Sequence, residues 1–281
     1  MTRSSLELAV NIASQSVSLP AVATCSWCQS AAEALSIARP KCIALVRVMD
    51  VRTGMAMGAP WPEAGISSRP ANKPLVEAVR AAAEQGMALT SGSQNGTFET
   101  QDEPVGAMAL QLGQHDDEPD PAVSILSFIG ARSALIACAM IDEDHGAQLR
   151  AVIAESASNE EPAFSECDAE ALQAVMSQIV DRVRMAFVPE PGETIEPLNA
   201  REVKVLESLA QGKTIREIAS SMHRSTHTIH DYLKSKHRKI GVANRAELIA
   251  RAAGRCGPRS LQSLGVRVTG AGDRAQLTQP R

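Results

Sequence analysis

A chain of 281 residues is long enough for two domains, and an apolar share of 44% supports packed cores rather than a disordered polymer. Aromatic residues make up only 2%, so those cores must rest on Ala, Val, Ile, Leu and Met. No stretch approaches the ~18 consecutive apolar residues of a membrane span, and Met1–Ser5 opens no signal-peptide apolar region, so the sequence reads as cytoplasmic with no membrane partner.

In chain order, Ser30–Ala38 has the pattern of a helix end and Cys42–Met49 that of a short apolar strand. Pro74–Gln85 reads as a helix with Pro in its first turn, and Ser91–Asp120 as a polar loop. Ala122–Ile129 is a strand candidate. Ser133–Ile141 and Gln148–Ala154 flank the turn-rich Asp142–Gly146 and read as a hairpin. Ser165 is placed to cap a long amphipathic helix with Leu172, Val175, Ile179 and Val183 on one stripe. These elements predict an α+β N-terminal domain, a mostly antiparallel sheet with flanking helices. Pro189, Pro191, Gly192 and Pro197 mark a linker over 188–197.

The charge changes sign across that linker. Residues 1–197 hold 12 Lys+Arg against 26 Asp+Glu, a net of −14. Residues 198–256 hold 12 against 5, a net of +7, and residues 257–281 hold 4 against 1. A basic segment on an acidic chain is the electrostatic footprint of a nucleic-acid-binding module.

The basic segment predicts a four-helix, all-α C-terminal domain over 198–256, with helices near 200–211, 215–222, 226–239 and 245–253. Asn199-Ala200-Arg201-Glu202, Thr214-Ile215-Arg216-Glu217 and Asn244-Arg245-Ala246-Glu247 are capping boxes, and Ser225 is an N-cap. Gly212, Gly241 and Gly254 mark helix stops. The tail, 257–281, thins into Gly, Gln, Thr, Pro and Arg and is expected to be disordered. On the third helix Ile229, Leu233 and Ile240 share a face that can pack on Val203, Leu206 and Leu209 and on Ile218, Ala219 and Met222. The opposite stripe is His227, His230, Asp231, Lys234 and Arg238, wholly polar and net basic. A helix anchored on one side and hydrogen-bonding on the other is what the major groove admits.

The segments Leu198–Leu206, Ala210–Ala219, Ser225–Lys234 and Arg238–Leu248 together resemble the helix-turn-helix of the LuxR/GerE family, without gaps over about a fifth of the chain. The resemblance implies a sequence-specific transcription regulator that binds double-stranded DNA, pairs as a homodimer and is not an enzyme. RNA polymerase and a small-molecule effector are further partners it allows. It places His230, Asp231 and Lys234 at base-reading positions, and Lys213, Arg216 and the start of the third helix at phosphates. The full candidate set is Lys213, Thr214, Arg216, Ser225, Thr226, His227, Thr228, His230, Asp231, Lys234 and Arg238. Three positions depart from the family: Tyr232 where His is frequent, the acid Asp231, and Lys236 where an aliphatic residue is usual. The Lys236 stem is expected to run along the core edge with its ammonium in water.

Pro162–Leu172, following the hairpin, resembles the opening of the last helix of a GAF domain, which implies a small-molecule sensor or a dimerisation module over 1–187. A receiver domain fits worse, with lysines at only Lys41 and Lys73 before Lys204, and the aromatic-lined pocket of an acyl-homoserine-lactone domain is hard to build from so few rings. No nucleophile elbow, Walker motif, glycine fingerprint or metal cluster is present, so no catalytic residue, cofactor or metal is predicted. A sigma-factor reading lacks its aromatic promoter-melting helix. Cys25-Ser26-Trp27-Cys28 is a lone CxxC, read as two reduced structural thiols.

Overall fold

The alternating apolar runs of residues 42–50, 131–142 and 147–156 dictate a sheet with two buried faces, because successive side chains of a strand point to opposite sides. The computed structural model describes residues 2–53, 55–84, 105–111, 126, 130–156, 162–188, 195–242 and 244–252. In it β1 (Cys42–Asp50), β2 (Gly65–Arg69), β3 (Val105–Gln111), β4 (Ala131–Asp142) and β5 (Ala147–Ser156) form one five-stranded sheet in the order β2-β1-β5-β4-β3. Every pairing is antiparallel, and the hairpin sets Leu135 against Ile153 and Ile136 against Val152.

Leu135, Ala137, Ala139 and Ile141 face a core shared with Ala44, Val46, Leu149 and Ile153. Three helices cover it: α1 (Arg3–Ser16), α2 (Trp27–Leu35) and α4 (Glu166–Phe187), the last laying down Leu172, Val175, Met176, Ile179 and Val183. Ile43, Leu45, Ile136, Val152 and Ala154 face the other way, under Leu75, Val76 and Val79 of α3 (Lys73–Glu84). A buried ionic cluster closes one end of the sheet. Arg39 donates to Glu155 at 3.3 Å and to Asp168 at 2.8 Å, and lies 4.4 Å from the centre of the Phe164 ring. Asp168 also accepts from Ser165 N–H at 2.9 Å, returning the capping contact that starts α4.

Three expectations change. α1 had no place in the sequence reading; its buried side is Ser5, Leu8, Ala9, Ile12 and Ser16, too serine-rich to stand out, and Ser5 is accommodated by donating to Asp168 at 2.9 Å. β2 and β3 are edge strands of mixed polarity, and β3 lies inside the stretch read as loop. Of the strand expected over 122–129 only Leu126 is described, and it is helical and buried. Most of the linker (189–194) and the whole tail (257–281) lie outside the described residues. Among the described residues no helix is long and apolar enough to cross a membrane.

The remaining helices are α5 (Ala200–Ala210), α6 (Ile215–Ser221), α7 (Thr226–Ile240) and α8 (Arg245–Ala252). Their shared core holds Val205, Leu206, Leu209, Ile218, Ala219, Ile229, Ile240 and Leu248.

Candidate nucleic-acid interface

Each helix of this module starts where its side chains satisfy the free backbone N–H groups of the first turn. Asn199 Oδ1 accepts from the N–H of Arg201 and Glu202, both at 3.0 Å, while Glu202 Oε2 accepts from Asn199 N–H at 2.9 Å. Thr214 and Glu217 repeat the exchange at 3.3 and 2.7 Å. Ser225 Oγ accepts from Thr228 N–H at 3.1 Å, and Asn244 Oδ1 from Glu247 N–H at 2.9 Å. The turn between α6 and α7 is short because His223 adopts a left-handed φ of 51°, which lets Arg224 N–H close onto Ala219 O at 2.9 Å. α7 stops at Gly241, whose φ of 65° is cheapest for glycine.

With Ile229 and Ile240 buried and Leu233 packed against the same core, the rotation of α7 is fixed. The stripe His227, His230, Asp231, Lys234 and Arg238 is then exposed along its length. His227 Nε2 lies 3.8 Å from Asp231 Oδ2, one turn away. Lys213, Thr214 and Arg216 are exposed around the start of α6, and the carbonyl of Lys213 accepts from Arg245 of α8 at 3.0 Å. Thr226 is exposed; Thr228 is half-buried with its hydroxyl 2.9 Å from that of Ser225, so these two serve the cap as well as the surface. The arrangement offers water-facing cations and hydrogen-bonding groups on rigid helices, the chemistry that meets phosphates and base edges.

Lys236 overturns its expectation. It is fully buried, and Nζ has no hydrogen-bond partner among the described residues. Burial pushes its pKa down to about 7, opposed by the charge of Glu202. Its neighbour in sequence, Lys239, is instead anchored: Nζ donates to Glu196 and to Glu202, each at 3.1 Å. Burial alone would raise the Glu202 carboxyl, but hydrogen bonds from Asn199, Lys239 and Ser235 hold it below its ordinary value. The one sequence signal for this polar knot is that Glu202 and Lys239 flank helices already required to pack.

Elsewhere, a cavity of about 270 Å³ opens where β1, β2, β4 and β5 meet the start of α3, with Lys41, Ser68, Arg69 and Asn72 beside apolar Ile43 and Leu75. Cys25 is exposed and Cys28 is buried, both as free thiols; burial raises the Cys28 pKa to about 12, so it is not a thiolate at neutral pH. Among the described residues no cluster of three His, Cys, Asp or Glu is placed to hold a metal.

The family described as "Bacterial regulatory proteins, luxR family" matches residues 196–252. Transcriptional regulatory protein UhpA of Escherichia coli (strain K12) is 41% identical over 56 residues, which are 20% of this chain and 29% of that protein. Response regulator RamR of Streptomyces coelicolor is 42% identical over 53 residues, 19% of this chain and 26% of that protein. The chain therefore spans under a third of the length of these curated relatives. Among solved structures, SdiA in complex with octanoyl-rac-glycerol aligns over 76% of this chain and 81% of its own at 20% identity, with a TM-score of 0.31.

Proposed function

We propose, from the luxR-family helix-turn-helix domain that residues 196–252 form, that this protein is a transcription regulator binding double-stranded DNA sequence-specifically with α7 in the major groove. The observation that carries the reading is the exposed basic stripe of a helix whose opposite face is locked into a core. His230, Asp231 and Lys234 read bases. Lys213, Thr214, Arg216, Ser225, Thr226, His227, Thr228 and Arg238 position the backbone.

The chain divides into a GAF-like sensory or dimerising domain over 1–187, a linker over 188–197, the DNA-binding domain over 198–256 and a tail over 257–281. The protein acts as a homodimer, since one module contacts too little DNA for high specificity, and it performs no catalysis. The cavity beside Lys41 and Arg69 supports effector sensing, because it joins these two cations and the acid Glu155 to apolar Ile43, Leu75 and Ala154. Contact with RNA polymerase is part of the same reading.

Titration of the full chain with duplex DNA over a range of salt tests this. Affinity should fall steeply as salt rises, because phosphate contacts release counterions. Binding indifferent to salt, or absent at low salt, would overturn the assignment.

A further inference from the structure

The connection between α1 and α2 leaves the sheet module and enters the core of the helical one. Val22 is buried in the cluster that holds Leu198, Val205 and Ile240. The backbone follows it: Leu198 N–H donates to Ala23 O at 2.8 Å, Cys25 N–H donates to Leu198 O at 3.2 Å, and Thr24 forms a parallel bridge with Leu198. This is a two-sided attachment, since a backbone ladder and an apolar side chain fix the same few residues.

The connection is equally fixed to the sheet module. Trp27 is fully buried and its Nε1 donates to Pro20 O at 2.8 Å. Its ring meets the Phe187 ring edge-on at 6.3 Å, and Trp61 stacks on Phe187 at 5.8 Å. Both tryptophans of a chain with very few rings brace this one place, and Phe187 is the last residue of α4.

At the other face of α2, the Gln29 amide pairs with the edge strand as a further strand would. Gln29 Nε2 donates to Ile66 O and Ile66 N–H donates to Gln29 Oε1, both at 3.1 Å. Gly65 allows backbone-to-backbone contact here: a Cβ on it would fall 2.0 Å from Cys28 O. β2 also lines the cavity, through Ser68 and Arg69. An unbroken series of packed and hydrogen-bonded groups therefore runs from β2 through α2 and the connection to Leu198.

We infer that the α1–α2 connection is an intramolecular docking contact that couples the two modules: Ala23–Cys25 hold Leu198, and α2 passes displacement of the edge strand β2 to the helical module. The contact leaves His230 and Lys234 exposed, so it orients the helical module without covering its polar stripe. Contiguous packed side chains, hydrogen bonds and rigid helices of this kind carry coupling between distant sites. The inference stands independently of what the exposed stripe binds.

Residue-resolved amide hydrogen exchange on the full chain tests it without DNA or effector. The Leu198 amide should be protected in the wild type and in Cys25→Ser, which keeps the N–H donor. Cys25→Pro removes that donor and should speed Leu198 exchange about fivefold, the loss of one net hydrogen bond. Gln29→Ala, which frees Ile66, should speed it as well while the amides of β5 stay protected and report an intact sheet. An unprotected Leu198 amide in the wild type, or one indifferent to Gln29→Ala, overturns the inference.

Discussion

Glu202 at the start of α5 and Lys239 near the end of α7 meet at 3.1 Å, with Glu202 almost fully buried. The same carboxylate accepts from Ser235 Oγ at 2.9 Å and closes the Asn199 capping box. One side chain thus fixes both the start of α5 and its angle to α7. Glu202→Ala should cost about 3 kcal/mol, the scale of breaking a buried, hydrogen-bonded charge pair. Because the folded pKa of Glu202 is depressed, its contribution is present above the ordinary carboxylate range and is lost as pH falls through it. Chemical denaturation of wild type and variant at pH 7 and pH 4 checks this: the gap between them should narrow at the lower pH.

Lys236 gives the opposite sign. Its folded pKa of about 7 lies below its ordinary value of 10.5, so the folded state disfavours the charged form. The penalty is fully present below pH 7 and declines as pH rises towards 10.5. Lys236→Met should stabilise the protein by about 1–4 kcal/mol at pH 7, the range for replacing buried ionic groups with apolar ones. The advantage should shrink between pH 7 and pH 10. A variant less stable than wild type at pH 7 would mean that the ammonium reaches water or a partner.

The proposed base-reading and phosphate-contacting roles are separable by mutation. Lys234→Ala should cost ~1–3 kcal/mol on a cognate site and relax preference at one base pair. Lys213→Ala should weaken all sequences about equally and reduce the salt slope by about one. Asp231→Ala should weaken cognate binding while strengthening non-specific binding, since an acid facing phosphates is removed. Binding of the three variants to cognate and scrambled duplexes measures all of this. Equal losses for Lys234→Ala on both duplexes would place another face of α7 in the groove.

Arg39 neutralises two buried carboxylates, Glu155 and Asp168. Arg39→Ala should cost about 3–5 kcal/mol, because the buried Asp168 loses its cationic partner, while Glu155 keeps Arg132 at 3.4 Å. Burial would raise the Asp168 pKa, but Ser165, Ser5 and Arg39 together hold it below its ordinary value. Its stabilising contribution is therefore lost only as pH falls below that value. Thermal melts of Arg39→Ala and wild type at neutral pH give the comparison; a loss under 1 kcal/mol would contradict the burial of this cluster.

Gly65→Ala forces a methyl into the backbone of α2 at Cys28 and Gln29. The change should destabilise by about 1–3 kcal/mol, the cost of overpacking, and more if α2 cannot shift. Gly58, where a Cβ meets nothing within 4 Å, is the control: Gly58→Ala should be nearly neutral by the same melts.

Local rules were enough for much of the helical module. Asn199, Thr214 and Ser225 start their helices at the residues read from sequence, since a cap needs only a side chain and the N–H groups two or three positions on. Ile229 and Ile240 declared the buried face of α7 by spacing alone. The hairpin of β4 and β5 was legible for the same reason, its pairing being local in sequence.

What sequence could not supply depended on partners far along the chain. α1 is recognisable as a packed helix only once Asp168 stands opposite Ser5, and β2 and β3 only as edges of a sheet whose centre is made elsewhere. The Lys236 stem is expected along the core edge with its ammonium in water, because lysine's type predicts an exposed charge; the fold buries the whole side chain. The attachment of Val22 and Ala23 to Leu198 joins positions more than 170 residues apart. The sequence by itself determined helix starts, apolar faces and the family of the C-terminal domain, because each is encoded within a few turns of chain. Tertiary structure alone decided which charges are buried and where the two modules touch, because desolvation and docking depend on neighbours that no local pattern specifies.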